Sequence, residues 1–285
     1  MKLQGQQALI TGASRGLGAA IAAAFWREGA SLLLSARDAG RLRVAAESLA
    51  PRPGQSLHCF AADLSDPAAG AALVAEARAV FPRLDILVKN AGTQGQIGPA
   101  WENDEADWRR AIEIDLLAPV ALCRLAVPWM ATTGGGRIVN VSGGGATSPR
   151  ARFSAYAAAK TALVRFTETL AAEAAGLRIR VNAVAPGAMD TDLLREVAEA
   201  GPERAGEREY AAARHAQAAG GATAARAAEL VVFLASAASD GITGKLISAV
   251  WDPWERLSSH ADDLRRSDIY TLRRIVPEDR GLDWD

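Results

Sequence analysis

Apolar positions along the chain gather in short blocks separated by longer stretches with helical spacing. The blocks are Ala8–Ile10, Ser31–Ser35, Leu57–Phe60, Ile86–Val88, Arg137–Val141, Arg178–Val184 and Lys245–Val250. They are short, rich in Val, Ile and Leu, and do not alternate strictly, which is the pattern of parallel strands buried on both faces. Ala-rich segments with Leu, Val and Phe at helical spacing lie between them. Repeated strand–helix–strand order predicts an α/β fold: a doubly wound parallel sheet of about seven strands with helices on both faces, in three α/β/α layers. No internal repeat and no flexible linker interrupts the pattern. The stretch Leu193–Gly221, rich in Ala, Glu and Arg with glycine breaks, reads as irregular.

Composition narrows the class. The chain has 285 residues, 49% of them hydrophobic and 23% charged, with two cysteines, Cys59 and Cys123. That is ordinary globular composition, not a disulfide scaffold and not a disordered chain. Thirty-two basic residues against 33 acidic ones give a net charge of −1. A nucleic-acid partner would call for a basic excess. No apolar run approaches a membrane span, and the N-terminus has no signal-type apolar region. The expectation is a cytoplasmic protein with a small-molecule substrate and neither nucleic acid nor membrane as a partner.

The first block runs directly into Thr11-Gly12-Ala13-Ser14-Arg15-Gly16-Leu17-Gly18, and a helix over Ala19–Arg27 follows. Gly12 permits a tight turn, Gly16 lets the backbone approach a pyrophosphate, and Gly18 lets helix and strand pack closely. The helix start then offers free N–H groups and a positive dipole end to phosphates. The spacing is GxxxGxG rather than GxGxxG, and alone it is also compatible with a plain strand–helix turn.

The second strand bears on the nucleotide. A NAD site places an acidic residue at its end to bond the ribose hydroxyls; here Ala36 stands near that position and Arg37 follows. Arg15 and Arg37 can clamp a 2′-phosphate with two guanidiniums, so NADP(H) is the expected cofactor. The competing reading keeps NAD(H): Arg37 and Arg41 are solvated and Asp38 serves the ribose.

Tyr156 and Lys160 stand four residues apart on one helix face. An ammonium beside a phenol favours the phenolate and lowers its pKa, which suits general acid–base chemistry near neutral pH.

Together these motifs resemble the short-chain dehydrogenase/reductase (SDR) family. The matching segments are TGASRGLG, Asp63-Leu64 after the third strand, Asn90-Ala91-Gly92, Tyr156–Lys160, Val181–Gly187 and Asp240–Lys245. The resemblance spans about Gly5 to Ile247. It implies one Rossmann domain over 1–250 and a homodimer or homotetramer. It also implies oxidoreductase activity on a secondary alcohol or ketone with a nicotinamide cofactor. Carried over by residue, it implies that Ser14, Arg15 and Leu17 belong to the phosphate turn, that Asp63 bonds adenine beside Leu64, and that Asn90, Ala91 and Gly92 lie by the adenosine ribose. Lys160 would hold the nicotinamide ribose and assist Tyr156 as general acid/base. Pro186, Gly187 and Thr191 would flank the carboxamide. No metal is implied.

Several positions depart from the family pattern. The serine expected thirteen residues before Tyr156 is Gly143, with Ser142 one residue earlier. Either Ser142 turns inward to bond the substrate oxygen, or the role is lost or passes to Thr147, Ser148 or the substrate. Asp115 stands where the family has Asn. Either it keeps a proton path open beside Lys160, as an anion that favours the ammonium, or it only fixes a helix bend. Lys89 before Asn90 is also unusual. Two rival readings of function follow: a non-redox reaction through a transient ketone, such as epimerisation or dehydration, and a nicotinamide-binding regulatory protein with impaired catalysis.

Residues 192–221 fall at the family's substrate lid, punctuated by Gly201, Gly206, Gly220 and Gly221, with Arg195, Arg204, Arg208 and Arg214 read as solvated. The extension 251–285 is too rich in Ile, Leu, Tyr and Trp to be disordered. Either it packs on its own or a neighbouring subunit, or Trp254, Tyr270, Arg273 and Arg274 cover the active site and meet an anionic substrate.

Overall fold

A computed structural model describes residues 1–189, 191–219 and 222–284. Gly220 and Gly221 therefore lie outside the described residues. The strands are β1 (Gln7–Thr11), β2 (Ser31–Ala36), β3 (Leu57–Ala61), β4 (Ile86–Lys89), β5 (Gly136–Val141), β6 (Ile179–Ala185) and β7 (Leu246–Ser248). The helices are α1 (Gly16–Arg27), α2 (Ala39–Glu47), α3 (Ala69–Val80), α4 (Glu105–Ile112), α5 (Ala118–Thr132), α6 (Ser154–Glu173), α7 (Asp192–Ala205), α8 (Glu207–Ala219), α9 (Ala222–Ala235) and α10 (Ala261–Arg266). The strands form one parallel seven-stranded sheet in the order β3-β2-β1-β4-β5-β6-β7. Each block read from the sequence is a strand, with ends displaced by two residues or fewer.

The pleat assigns alternate residues to two cores. Ala8, Ile10, Leu32, Leu34, Ile86, Val88, Val139 and Val141 pack with α1 and α9. Leu9, Leu33, Leu87, Ile138 and Val181 pack with α3, α5 and α6 on the other face. Burial on both faces explains why the strands read as continuous apolar runs. The order reverses between β1 and β4, so the crevice beyond their carboxyl ends is the binding place the topology creates.

Three local features aim residues at that crevice. Helix α1 has Arg15 at its N-cap with no capping side chain, which leaves its first N–H groups available. A π-helical turn over Glu113–Leu117 joins α4 to α5 and buries Asp115; such one-turn insertions rotate a residue out of helical phase. The 192–219 segment is helical, not irregular. Gly201 (φ 72°) kinks α7 and Gly206 (φ 84°) joins it to α8. Ala, Glu and Arg are good helix formers, and the glycines mark the bends.

The extension lies against its own chain. Trp254 is buried against Phe233 of α9 with ring centroids 5.8 Å apart. Lys245 Nζ donates to the carbonyls of Ser267 and Ile269, both at 2.9 Å, and Leu246 N donates to the Tyr270 carbonyl at 2.9 Å. Leu272 then reaches the cluster of Ala146, Val164 and Ala183.

Candidate functional site

The phosphate turn is held by its neighbours. Asn90 Nδ2 donates to the Thr11 and Gly12 carbonyls at 3.1 Å each, and the Thr11 hydroxyl accepts from the Asn90 and Ala91 amides. Asn90 thus ties the end of β4 to the end of β1. A Cβ on Gly18 would lie 2.1 Å from the Gly12 carbonyl oxygen, so only glycine lets α1 start this close to the strand. Thr191 faces the same turn: its methyl carbon would be 3.2 Å from a Cβ on Gly16. Pro186 is buried at the end of β6 and Gly187 is exposed beside it. The open amides of α1 and the crowded glycines form a cradle that fits a dinucleotide's pyrophosphate.

The arginines are arranged differently from the sequence expectation. Arg15 pairs with Asp192 at the start of α7, and Arg41 Nη1 lies 3.8 Å from the same carboxylate. Arg195 Nη1 donates to Asp192 Oδ1 at 2.6 Å. Arg41, read as solvated, is the second guanidinium beside Arg15. Arg37 instead lies near Asp63, where its charge helps hold that carboxyl below its usual range, after the larger effect of the Ser65 amide. Asp63 Oδ1 accepts from the Ser65 amide (3.0 Å) and hydroxyl (2.8 Å), and Leu64 beside it is buried. Asp38 caps α2 by accepting from the Arg41 amide at 3.0 Å.

Tyr156, Lys160 and Asp115 converge where β4 and β5 end. Lys160 Nζ lies 5.5 Å from the Tyr156 ring centroid, donates to the Val141 carbonyl at 3.2 Å and stands 3.6 Å from Asp115 Oδ1. Asp115 Oδ1 also accepts from the Thr93 amide at 3.1 Å, while Oδ2 is buried with no partner among the described residues. Gly92 leaves room for this pair: a Cβ there would be 2.8 Å from Asp115 Oδ1. Asp115 sits both in the bend and beside the lysine, so the two alternatives for it coincide. Burial pushes the Asp115 carboxyl up, against the pull of Lys160. Burial also pushes the Tyr156 phenol up, and Asp115 adds to that; Lys160 and Arg150 pull it down. The net upward direction in this structure corrects the expectation of a lowered phenol, because the hydroxyl's desolvation outweighs the ammonium.

Ser142 stands at the end of β5, with its amide donating to the Val184 carbonyl at 2.8 Å. Its hydroxyl is buried and has no hydrogen-bond partner among the described residues. Gly143 is the position that faces the tyrosine, because a Cβ there would fall 2.1 Å from Tyr156 Oη. The phenol occupies the space that a side chain at 143 would need.

The lid covers this site. Val197, Ala205 and Ala213 of α7 and α8 pack with Phe153, Ile97 and Tyr156. Arg150 joins three segments there. Its Nε donates to Glu209 Oε2 of α8 at 2.8 Å, and its Nη1 donates to Gln94 Oε1 at 2.9 Å. The guanidinium carbon lies 3.8 Å from the Phe153 ring centroid and 5.4 Å from that of Tyr156. Sequence spacing gave no sign of Arg150, Gln94 or Glu209, since these contacts span long separations. Trp254 packs against Phe233 and Arg226, and the Tyr270 carbonyl accepts from the Leu246 amide. Arg273 pairs with Asp268 and Asp279 within the extension, and its Nη1 donates to the Arg274 carbonyl at 3.1 Å.

Lys89 is buried, with Nζ donating to the Pro119 carbonyl at 3.1 Å and 2.8 Å from Cys123 Sγ. Burial holds its ammonium below the usual lysine range. No group of three or more metal-ligating side chains occurs among the described residues, and none of the described helices is long and apolar enough to cross a membrane.

A doubly wound sheet with a glycine cradle at its switch point and a Tyr–Lys pair beside it defines a dinucleotide-binding oxidoreductase type of site. The sequence profile of the short chain dehydrogenase family matches residues 6–201. An uncharacterized oxidoreductase of Mycobacterium tuberculosis is 36% identical over 247 residues, covering 86% of this chain and 91% of that one. The cis-4-hydroxycyclohexanecarboxylate dehydrogenase of Sinomonas cyclohexanicum is 40% identical over 191 residues, 66% of this chain and 74% of its own. Among solved structures, a proposed NAD(P)-dependent gluconate 5-dehydrogenase from Beutenbergia cavernae, with NADP bound at low occupancy, superposes with a TM-score of 0.76. It is 34% identical and covers 87% of this chain and 96% of its own. The chain therefore belongs to the short chain dehydrogenase family, and it is an oxidoreductase acting on CH–OH groups.

Proposed function

We propose that the protein interconverts a secondary alcohol and a ketone of a small molecule, with NADP(H) as the preferred cofactor and Tyr156 as the general acid/base. The observation that supports this most directly is Lys160 set between Tyr156 and Asp115, beside the glycine cradle. The cofactor, when bound, supplies or accepts the hydride. Gly12, Gly16, Gly18 and the open start of α1 would hold its phosphates, and Lys160 its nicotinamide ribose. Tyr156 Oη gives its proton to the carbonyl oxygen in reduction and takes it back in oxidation. Lys160 favours the phenolate electrostatically, and Asp115 fixes the ammonium. The apolar faces of α7 and α8 exclude water from the phenol. Position 143 is bare, so no side chain from it stands beside the Tyr156 hydroxyl.

Preference for NADP(H) rests on Arg15 and Arg41, which already converge on one carboxylate, that of Asp192. A 2′-phosphate offers the same guanidiniums a doubly charged partner. The relative with hydroxycyclohexanecarboxylate in its name is consistent with a cyclic or short-chain hydroxy compound. Turnover of an alcohol and ketone panel with each cofactor tests the reading. The expected result is NADPH-dependent reduction that Tyr156→Phe lowers at least about 10²-fold. Retained turnover in that variant refutes the role of Tyr156, and NADH binding as tightly as NADPH refutes the cofactor preference.

A further inference from the structure

Arg150 stands beside Tyr156, and the alcohol–ketone reaction as proposed gives it no role. Its carboxylate partner is Glu209 of α8, and the Nη2 end of its guanidinium has no hydrogen-bond partner among the described residues. Two further arginines stand nearby at the joint between lid and site. Arg152 donates to the Glu203 and Arg204 carbonyls, and Arg204 donates to the Ile97 carbonyl at 3.1 Å from Nε and 2.8 Å from Nη2. Neither Arg152 nor Arg204 forms an ion pair among the described residues. Of these three, Arg150 is the guanidinium beside the phenol, 5.4 Å from the Tyr156 ring centroid, and its carboxylate partner is Glu209.

Glu209 is an unusual partner for Arg150. It belongs to α8, which follows the Gly206 joint, whereas Arg150 and Gln94 belong to the loops after β5 and β4. The Arg150 side chain is 13% exposed and that of Glu209 27%. Arg150 is also fixed in place, stacked on Phe153 and held by the buried Gln94 amide oxygen. A rigid guanidinium with a carboxylate supplied by a hinged helix is a site built for carboxylate exchange: an incoming carboxylate can take the fork geometry that Glu209 now occupies.

We propose that Arg150 is the specificity-determining residue of this site and that the substrate carries a carboxylate, which binds Arg150 in place of Glu209 while its hydroxyl or carbonyl meets Tyr156 Oη. The proposal rests on Tyr156 acting as the proton donor of the alcohol–ketone reaction. Arg150 also draws the Tyr156 phenol downward, so neutralising it with a substrate anion keeps the phenol protonated for reduction.

Calorimetry on the complex with NADP⁺ tests this without requiring turnover. The probes are lactate, β-hydroxybutyrate and mandelate, each beside its methyl ester. At least one acid should bind about tenfold or more tighter than its ester. Arg150→Met should weaken that acid roughly 10- to 100-fold, the range for one charge-assisted pair, and its ester less than about threefold. Glu209→Gln should tighten the acid by removing its competitor. Esters binding as well as acids in the wild type, no acid binding at all, or Arg150→Met weakening acid and ester equally would each overturn the proposal; the last would make Arg150 a structural strut. Turnover judges the underlying reading separately. Oxidation of neutral alcohols with no preference for acids overturns the anion site alone. Arginine-dependent acid binding with no oxidation of any alcohol supports the anion site and refutes the alcohol–ketone reading.

Discussion

Replacing Gly143 with alanine asks whether the tyrosine owns the space where the family keeps a serine. The φ angle at Gly143 lies outside the left-handed region, so the backbone accepts a side chain there. The new Cβ would stand 2.1 Å from Tyr156 Oη and 3.1 Å from Cζ. Ordinary carbon contacts begin beyond about 3 Å, so the hydroxyl must retreat by about 1 Å. A displacement of that size at a reacting atom costs about 10²-fold in rate, or roughly 2.7 kcal/mol of activation free energy. The assay is kcat/KM for NADPH-dependent ketone reduction, with the melting temperature followed in parallel to separate misplacement from unfolding. Gly143→Ser meets the same obstruction and should fare no better, although it restores the residue type common in the family. Activity within about threefold of wild type in Gly143→Ala, or a gain in Gly143→Ser, would refute the claim that the phenol requires a bare position.

Asp115→Asn removes a charge that raises the Tyr156 phenol. The alkaline limb of the reduction profile, where the phenol loses its proton, should move to lower pH; a shift upward contradicts the electrostatic account. Arg15→Ala and Arg41→Ala should each weaken NADPH about tenfold or more while changing NADH affinity little, measured by fluorescence titration; equal losses for both cofactors would make the arginines structural. Trp254→Ala opens a cavity against Phe233 and should cost roughly 3–5 kcal/mol in chemical denaturation, with kcat unchanged because Trp254 lies away from Tyr156. A loss below about 1 kcal/mol would show that the extension is loosely held.

The strands were legible because burial on both faces leaves runs with no alternation, and the turn was legible because its glycines follow the first strand directly. Tyr156 and Lys160 share one helix, so their spacing alone brought them to one face. Other features depend on contacts that no local period records. Arg150 meets Gln94 and Glu209 across 56 and 59 residues. Arg41, exposed at a helix start, carries no local sign of the Asp192 carboxylate, far along the chain, that it shares with Arg15. The π turn at Glu113–Leu117 is a single step out of phase, too small for a helical pattern to show, yet it is what buries Asp115. In residues 192–219 glycines read in sequence as breaks, whereas Gly201 and Gly206 are bends between good helix formers. The direction at Tyr156 was misread because adjacency to Lys160 is visible in sequence and desolvation is not.

The bond from Leu246 to the Tyr270 carbonyl also has a consequence for solubility. Strand β7 is the outermost strand on its side of the sheet and only three residues long. An open edge of this kind is a template for strands of other molecules. The chain lays its own returning segment along that edge, and Lys245 anchors the segment through two carbonyls. Any strand arriving from outside must first displace this resident segment, so the extension works as a guard against edge-to-edge aggregation wherever the protein is concentrated.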